Sequence, residues 1–478
     1  MKVVLTLPPE IHNLEIYSVT GMKAPPLGIL SIASVLENAG HKVKVIDSPT
    51  LRLDFKSWLS EIKSFNPDII GISMQTPMAP KGYQAVKIVK QEIQDIPVIA
   101  GGTHPSVLYN EALQNGYDIV VRGEGELTML ELTNYLERKG LDKTGLNDIA
   151  GIAFKSSSGD LIKTRDRPLI QNLDELPWPA RHLVDMNNYT LFNKNINISH
   201  IMASRGCPYG CMYCITSYYW GRRFRYRSAE NVVNEIEYLY NKYNSKTIVF
   251  TDDEFTANWK FVRDFITLIK SRGLDVSFSC GTRVDLINKD LMKLLYDNGC
   301  NALYFGVESA SQDTLNKIGK RITIEQAKKA FSWAKELKGF TTGSFILGFP
   351  WETIDDMKNT VNFAIKLDPN YAQFTALTPY PGTPLYDYAL KYNLITDNNW
   401  EHYTTVKPVM RGFNFTAQEL GKMVMYAYRR FYVRWEFMSR ELKAGRFFDL
   451  LGIIAKNLIF STFESELKKV FEPLRWGK

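Results

Sequence analysis

Val, Ile and Leu gather in short runs along the first 140 residues, at 3–7, 42–46, 68–73, 97–100 and 118–121. Between these runs, residues 27–39, 55–65, 80–94 and 105–115 carry apolar positions at the three- and four-residue spacing of an amphipathic helix. Short apolar strands alternating with helices predict an α/β fold, a doubly wound parallel sheet buried on both faces. In such a sheet a ligand sits beyond the carboxyl ends of the strands. Here those ends carry Pro8-Pro9, Ser73-Met74-Gln75-Thr76, Gly101-Gly102-Thr103-His104 and Arg122-Gly123-Glu124-Gly125-Glu126.

A connection follows. Two β-type runs, 151–155 and 160–164, flank Ser156-Ser157-Ser158-Gly159 and predict a small hairpin, and Leu176-Pro177-Trp178-Pro179 breaks any regular element. A second alternating series then begins. Its strands are expected at 198–204, 247–251, 276–279, 302–307, 343–347 and 372–376, with helices at 229–243, 260–271, 289–298, 324–337 and 354–367. Six strand–helix units predict a partial (β/α)6 barrel with its chemistry at the carboxyl ends of the strands. Past Pro384 the strand signals stop, and 426–438 and 447–463 read as aromatic-rich helices. The expected domains are a front sheet over 1–140, a linker with a hairpin over 141–195, a barrel over 196–385 and a helical region over 386–478.

Composition narrows the class. With 478 residues, 45% hydrophobic and 23% charged, the chain has material for more than one core. Five cysteines are too few for a disulfide scaffold and suit a reducing compartment. The apolar run at the N-terminus is too short for a signal peptide, and the most apolar stretch, 447–463, is broken by Asp449 and Lys456. The expected location is cytoplasmic. The net charge of +7 is uneven, since residues 421–478 hold twelve Lys/Arg against six Asp/Glu. A solvated helical face is the plain reading of that excess; an anionic membrane surface or nucleic acid is the sharper one.

The strongest chemical signal is Cys207-Pro208-Tyr209-Gly210-Cys211-Met212-Tyr213-Cys214, directly after the first strand of the second series. Three thiolates in eight residues suit zinc, copper or an iron–sulfur cluster. Structural zinc wants a fourth protein ligand. Cys280 and Cys300 lie far off without paired spacing, and His200 is on the strand seven residues upstream of Cys207. Three thiolates fit a four-iron cluster with one open iron better.

This loop, with an aromatic residue before its last cysteine, resembles that of the radical S-adenosylmethionine (SAM) enzymes. The resemblance implies a [4Fe–4S] cluster on Cys207, Cys211 and Cys214, with SAM chelating the open iron and cleaved to a 5′-deoxyadenosyl radical. The cofactors would carry the chemistry while the protein positions them and excludes water. Further motifs are similar to that family in the same order. Asp252, Asp253 and Glu254 stand where the family places polar groups on the SAM amino group, and Arg283 where a cation pairs with the SAM carboxylate. Glu308 and Ser309 stand at the ribose position and Gly348 at the adenine glycine motif, with Tyr213 beside the cluster.

The front domain resembles the cobalamin-binding branch of that superfamily, which includes anaerobic Mg-protoporphyrin ester cyclases, hopanoid methylases and archaeal tetraether lipid ring synthases. The resemblance places cobalamin against Ser73, Thr76, Gly101, Gly102, His104, Gly123 and Glu124. No D-x-H-x-x-G occurs; the nearest approach, Glu10-Ile11-His12, has Glu15 where the glycine belongs. The absence implies cobalt without a lower histidine, and His104 is expected in a loop hydrogen bond or on the cofactor tail rather than on cobalt. A methylthiotransferase acting on tRNA would need a second cysteine set, and residues 1–200 contain no cysteine.

The expected activity is C–H functionalisation, by methylation or carbon–carbon ring formation, of a hydrophobic, lipid or isoprenoid-like substrate. The alternative is a cobalamin-free front domain and a peptide or nucleic-acid substrate. Tyr380, in the rigid loop Thr378-Pro379-Tyr380-Pro381-Gly382-Thr383-Pro384, is the candidate catalytic residue. The expected partners are a small-molecule or lipid substrate, a low-potential electron donor and the membrane surface, met peripherally by the basic C-terminal helices. Nucleic acid is not expected among them.

Overall fold

The computed structural model describes residues 1–9, 23–190 and 197–445. Its front sheet holds β1 (Lys2–Thr6), β2 (Lys42–Ile46), β3 (Ile69–Ser73), β4 (Val98–Gly101), β5 (Ile119–Val121), β6 (Ile152–Lys155) and β7 (Leu161–Lys163). The order is β2-β1-β3-β4-β5-β6-β7. The first five strands run parallel, with the switch point between β1 and β3, and β6 and β7 close the edge antiparallel. Successive residues enter opposite faces: Val3 and Leu5 pack with Leu30 and Leu132, while Val4 packs with Trp58 and Ile70. Burial on both faces is why these strands read as unbroken apolar runs.

The hairpin expected in the linker is present, and it extends the front sheet. Arg122 anchors it, its Nη2 donating to Thr164 O at 2.9 Å. The helix expected over 105–115 is two short ones, Thr103–Val107 and Tyr109–Gln114, because Leu108 leaves helical geometry at ψ 49°.

The second sheet is formed by β8 (Ile198–Ile201), β11 (Thr247–Phe250), β12 (Ser277–Thr282), β13 (Cys300–Glu308), β14 (Thr341–Leu347) and β15 (Tyr371–Ala376). All six are parallel and pair in the order β15-β14-β13-β12-β11-β8, an open partial barrel. A separate two-stranded ribbon, β9 (Ser204–Arg205) with β10 (Arg225–Tyr226), brackets the cysteine loop. The outer helices begin on side-chain caps. Ser228, Asn258 and Asn288 accept from backbone N–H groups, and Thr323 and Thr353 form capping boxes.

The aromatic helix expected over 426–438 is split into Ala417–Tyr432 and Trp435–Lys443. The break lets the Arg434 guanidinium reach Asp368 and the carbonyl of Ile365, at the end of the helix Ile354–Leu367. The expected helix 447–463 lies outside the described residues. Among the described residues, Phe431 and Phe437 of these helices are buried against the barrel, while Trp435 stands 74% exposed. Tyr432 serves the open edge of β15. Its hydroxyl donates to Ala372 O (2.7 Å) and accepts from Ala372 N (3.0 Å), and Tyr428 Oη accepts from Phe374 N (3.3 Å). A strand edge left with unpaired groups is a liability, and these tyrosines close it. No helix among the described residues is long and apolar enough to cross a membrane.

Tyr432→Phe strands a donor and an acceptor of β15 at once. It is expected to cost about 1–3 kcal/mol in denaturant unfolding, while the same change at Tyr392, which is 43% exposed, stays within about 0.5 kcal/mol.

Candidate active site

The cysteine loop leaves β9 and returns on β10. Met212 ties it to the barrel: its N–H donates to Ile318 O (2.9 Å) and its carbonyl accepts from Leu385 N (3.0 Å). The thiols of Cys207, Cys211 and Cys214 are free, with Cys211 buried and the other two partly exposed. Burial pushes the Cys207 thiol up to about 11 and raises that of Cys211, where Lys320 works the other way. Buried thiols of this kind become thiolates when a metal supplies the compensating charge. Among the described residues no three His, Cys, Asp or Glu side chains converge tightly enough to hold a single ion. Thiolates around one zinc would lie within about 4 Å of each other. The three thiols do face one site, since Cys211 and Cys214 both act on the Cys207 thiol, and three thiolates on one loop suit an iron–sulfur cluster.

The remaining candidates of this half lie at the carboxyl ends of barrel strands. After β11, the Asp252 carboxylate accepts from Ala203 N (3.1 Å) and from Ser204 Oγ, and burial raises it to about 6. Burial also raises Asp253, against hydrogen bonds from Thr216 and Gly206. Glu254 accepts from Thr282 Oγ1 (2.8 Å) and Arg283 N (3.2 Å), and burial lifts it to about 7. Arg283 is forked onto Asp285 (2.9 and 3.0 Å), donates to Lys320 O (2.6 Å) and lies 3.6 Å from the ring centre of Tyr209.

At the end of β13 the register with β14 shifts between Gly306 and Glu308, and Glu308 adopts φ 69°. This bulge re-aims the carboxylate onto Lys320 Nζ at 2.8 Å. Gly306 makes the room, because a Cβ there would meet Glu308 Oε1 at 2.5 Å and Lys320 Nζ at 2.8 Å. Tyr213 lies against Glu308; burial, then Glu308, raise its hydroxyl well above the ordinary value. Ser309 and Gly348 meet through Glu352, which accepts from Ser309 Oγ (3.4 Å), Gly348 N (3.1 Å) and Phe349 N (3.1 Å). Tyr380 donates its hydroxyl to Tyr403 O at 2.9 Å, so that proton is committed to packing.

In the front domain the candidates gather at the ends of β3, β4 and β5. His104 is 2% exposed; its ring nitrogens contact Tyr83 Oη (3.0 Å) and Thr76 Oγ1 (3.3 Å), and burial lowers it to about 4. Gly102 has φ 97°, and a Cβ there would meet Met74 O at 2.5 Å and Ser73 Oγ at 3.0 Å. Beside it, a Cβ on Gly101 or on Gly123 would meet nothing within 4 Å. That open cradle at the strand ends is the space a macrocycle edge or its nucleotide tail needs, so the residues present fit cobalamin. Glu124 points elsewhere: both of its oxygens are held by Arg205, Arg225 and Ile170 N.

Several groups at this site carried no sequence signal. Lys320, Glu352, Arg205 and Arg225 are all buried and charged; the two arginines reach Glu124 across 81 and 101 residues, while Lys320 lies 12 residues from Glu308 and Glu352 lies 4 from Gly348. The barrel interior is also open. A cavity of about 340 Å³ is lined by Val249, Thr251, Ser279, Gly281, Tyr304 and Thr342 among others.

Burial raises Glu352 from 4.5 to about 7, against the Phe349 and Gly348 N–H groups. A carboxyl raised on folding contributes stability that is full below its unfolded value and fades as pH rises through its folded value. The protein without cofactors is therefore expected to lose stability between pH 4.5 and about 7, with Glu352 contributing at most about 1.4 kcal/mol per pH unit. Denaturant unfolding of Glu352→Gln should give a flatter profile in that window.

Comparison with known proteins gives the same two halves. A model of the radical SAM superfamily matches residues 201–364, and one of the B12 binding domain matches residues 16–133. The chain is similar to an uncharacterized methyltransferase of Pyrococcus horikoshii, 39% identical over 461 residues, covering 96% of this chain and 97% of that one. It is also similar to the anaerobic magnesium-protoporphyrin IX monomethyl ester cyclase of Rubrivivax gelatinosus, 30% identical over 95% of this chain and 82% of that one. In fold it resembles the cobalamin-dependent radical enzyme OxsB with aqua-cobalamin and SAM bound (TM-score 0.72, 17% identity, 89% of this chain and 66% of that one). The methyltransferase TsrM from Kitasatospora setae, with cobalamin and a [4Fe–4S] cluster, gives TM-score 0.66 at 19% identity, over 80% of this chain and 73% of that one. The chain belongs to the cobalamin-binding branch of the radical SAM superfamily, an enzyme whose cofactors are a [4Fe–4S] cluster, SAM and cobalamin.

Proposed function

We propose that this enzyme transfers a methyl group to an unactivated carbon of a hydrophobic small molecule, lipid- or isoprenoid-like. The observation that carries methyl transfer is the similarity to a methyltransferase along almost the whole of both chains. The hydrophobic substrate is supported by a relative named as a hopanoid C-3 methylase and by others named for porphyrin-type molecules. Carbon–carbon ring formation is the second reading, favoured by the similarity to the protoporphyrin ester cyclase.

When bound, the cofactors supply a 5′-deoxyadenosyl radical and a cobalt-borne methyl group. The chain's own residues hold and screen them. Cys207, Cys211 and Cys214 ligate the cluster, and Tyr213 seals it on the Glu308 side. Glu254, Arg283, Glu308, Ser309 and Gly348 line the SAM position, with Asp252 and Asp253 bracing the loop behind them. Ser73, Thr76, Gly101, Gly102 and Gly123 shape the cobalamin cradle, which His104 stiffens through Thr76 and Tyr83. Tyr380 holds the substrate-side loop by its bond to Tyr403. A low-potential donor reduces the cluster, and the reaction is placed in the cytoplasm, with the basic C-terminal helices meeting an anionic membrane when the substrate is a lipid.

The test is anaerobic reconstitution with iron, sulfide and hydroxocobalamin, followed by turnover of methyl-labelled SAM against a host lipid extract. Methyl transfer yields S-adenosylhomocysteine and 5′-deoxyadenosine in equal amounts and places the label in a lipid. Ring formation yields 5′-deoxyadenosine without S-adenosylhomocysteine or label, and that result overturns methyl transfer. Replacing Cys207, Cys211 and Cys214 together by Ala should abolish cluster absorption and SAM cleavage while hydroxocobalamin still binds.

A further inference from the structure

The cysteine loop and the front-domain cradle share one bonded unit. Arg205 Nη1 donates to Glu124 Oε1 (2.7 Å) and its Nη2 to Glu126 Oε1 (2.5 Å). Arg225 Nη1 donates to both Glu124 oxygens (2.9 Å each) and to Ile170 O (2.6 Å). These four side chains are at most 10% exposed. Trp220, within the loop that carries the cysteines, lies over both guanidiniums at 5.6 and 5.8 Å. Next to it, Tyr219 Oη donates to Gly123 O at 2.7 Å. From there the bonds run on into the cradle: Gly123 N donates to Ser106 Oγ (3.1 Å), and Ser106 Oγ donates to Gly102 O (2.7 Å).

We propose that Arg205, Arg225, Glu124 and Glu126 are positioning residues that couple the two cofactor sites, so that cobalamin in the cradle and the cluster on the cysteine loop favour each other's binding. The charges of the four balance. Displacing either loop alone would leave a buried guanidinium or carboxylate without its partner, so the two loops move together or not at all. An arrangement that stiffens one site lowers the ordering cost of the other. Glu124 thereby acts on cobalamin through the loop it anchors rather than by touching it. The inference rests on the two-cofactor assignment and on no particular substrate.

Coupling of this kind is reciprocal and is read as a ratio of affinities. Hydroxocobalamin is titrated by absorbance into the full-length chain under anaerobic conditions, with the cluster reconstituted and with the iron removed. In the parent protein the cluster should tighten cobalamin binding at least about 5-fold. Arg205→Lys, which keeps the charge but loses the fork, should bring that ratio below about 2-fold, well short of the coupled range. Tyr219→Phe removes one hydroxyl and should lower the ratio part of the way; it carries the test if Arg205→Lys does not fold. The electron paramagnetic resonance signal of the reduced cluster gives a second readout. It should change on adding hydroxocobalamin to the parent and not to Arg205→Lys, a difference that lost stability alone would not produce. A ratio near one in the parent, or the same ratio in the parent and both variants, overturns the coupling. A parent protein that binds no hydroxocobalamin in either state overturns the two-cofactor assignment itself.

Discussion

Arg205 and Arg225 stand directly opposite one another on β9 and β10, a ribbon two residues long. Like charges facing across a strand pair repel, and two residues of ladder supply little to oppose them. The ribbon exists because Glu124 and Glu126 reach it from the front domain and neutralise the pair. Burial works against the Arg205 charge, but Glu126 and Glu124 outweigh it and hold the guanidinium above its ordinary value. The loop between the two strands, with the three cysteines, is held at its base by this contact and at Met212 by the barrel. Buried ion pairs are an expensive way to gain stability, and their best use is to specify one arrangement. Here the arrangement specified is the one that turns the carboxyl ends of the front strands toward the mouth of the barrel.

The mouth follows the same logic. Glu308 is paid for by Lys320, Arg283 by Asp285, and Asp252 and Glu254 by donors from neighbouring turns. Few charges there point at open space. The Arg283 fork already holds Asp285, so taking the SAM carboxylate in the role proposed for it would mean sharing or exchanging that partner. The stacking of Arg283 on Tyr209 links this exchange to the cysteine loop, since Tyr209 lies between Cys207 and Cys211.

Much of this was legible in the chain because it is local. Strand and helix periodicity gives all six barrel strands and the five parallel strands of the front sheet, and the cysteine spacing marks the cluster loop. The partners of the motif residues were hidden because no local pattern marks them: Lys320 follows the helix Gln312–Lys317, Glu352 turns back onto the Gly348 and Phe349 N–H groups, and Arg205 comes from a separate ribbon. Glu124 shows the limit most clearly. Its place at a strand end suggested cofactor contact, yet residues 81 and 101 positions away take both its oxygens. The break at Val433 was hidden likewise, since Asp368 draws Arg434 out of what reads as one helix. Trp400 was hidden too. It packs its ring 5.3 Å from His104 and donates to Glu111, so the C-terminal region closes over the cradle of the front domain.

The barrel interior bears on what the enzyme acts upon. In β12 and β15 burial alternates strictly, the helix-facing residues buried and the inward ones partly exposed. A closed (β/α)8 barrel fills its centre with layers of branched apolar side chains. Here the inward positions include Ser277, Ser279 and Gly281 on β12, Thr342 and Ser344 on β14, and Gln373 and Thr375 on β15, beside the larger Val249 and Tyr371. Tyr304 is 38% exposed on that face and donates to Gln373 Oε1 at 2.6 Å. Side chains this small and polar cannot fill the space or drive it closed, so the barrel keeps a cavity beside the radical-generating site. The cavity mixes these groups with Val249, Phe250, Ala302 and Leu303, so its lining offers apolar surface as well as hydroxyls. Several of these groups are already paired within the protein, Tyr304 with Gln373, Thr375 with Phe345 O and Ser277 with Lys246 O, so an apolar molecule beside them does not strand them. An apolar skeleton would find matching surface there, and a hydroxyl or carbonyl group on it would find Ser279 or Thr342.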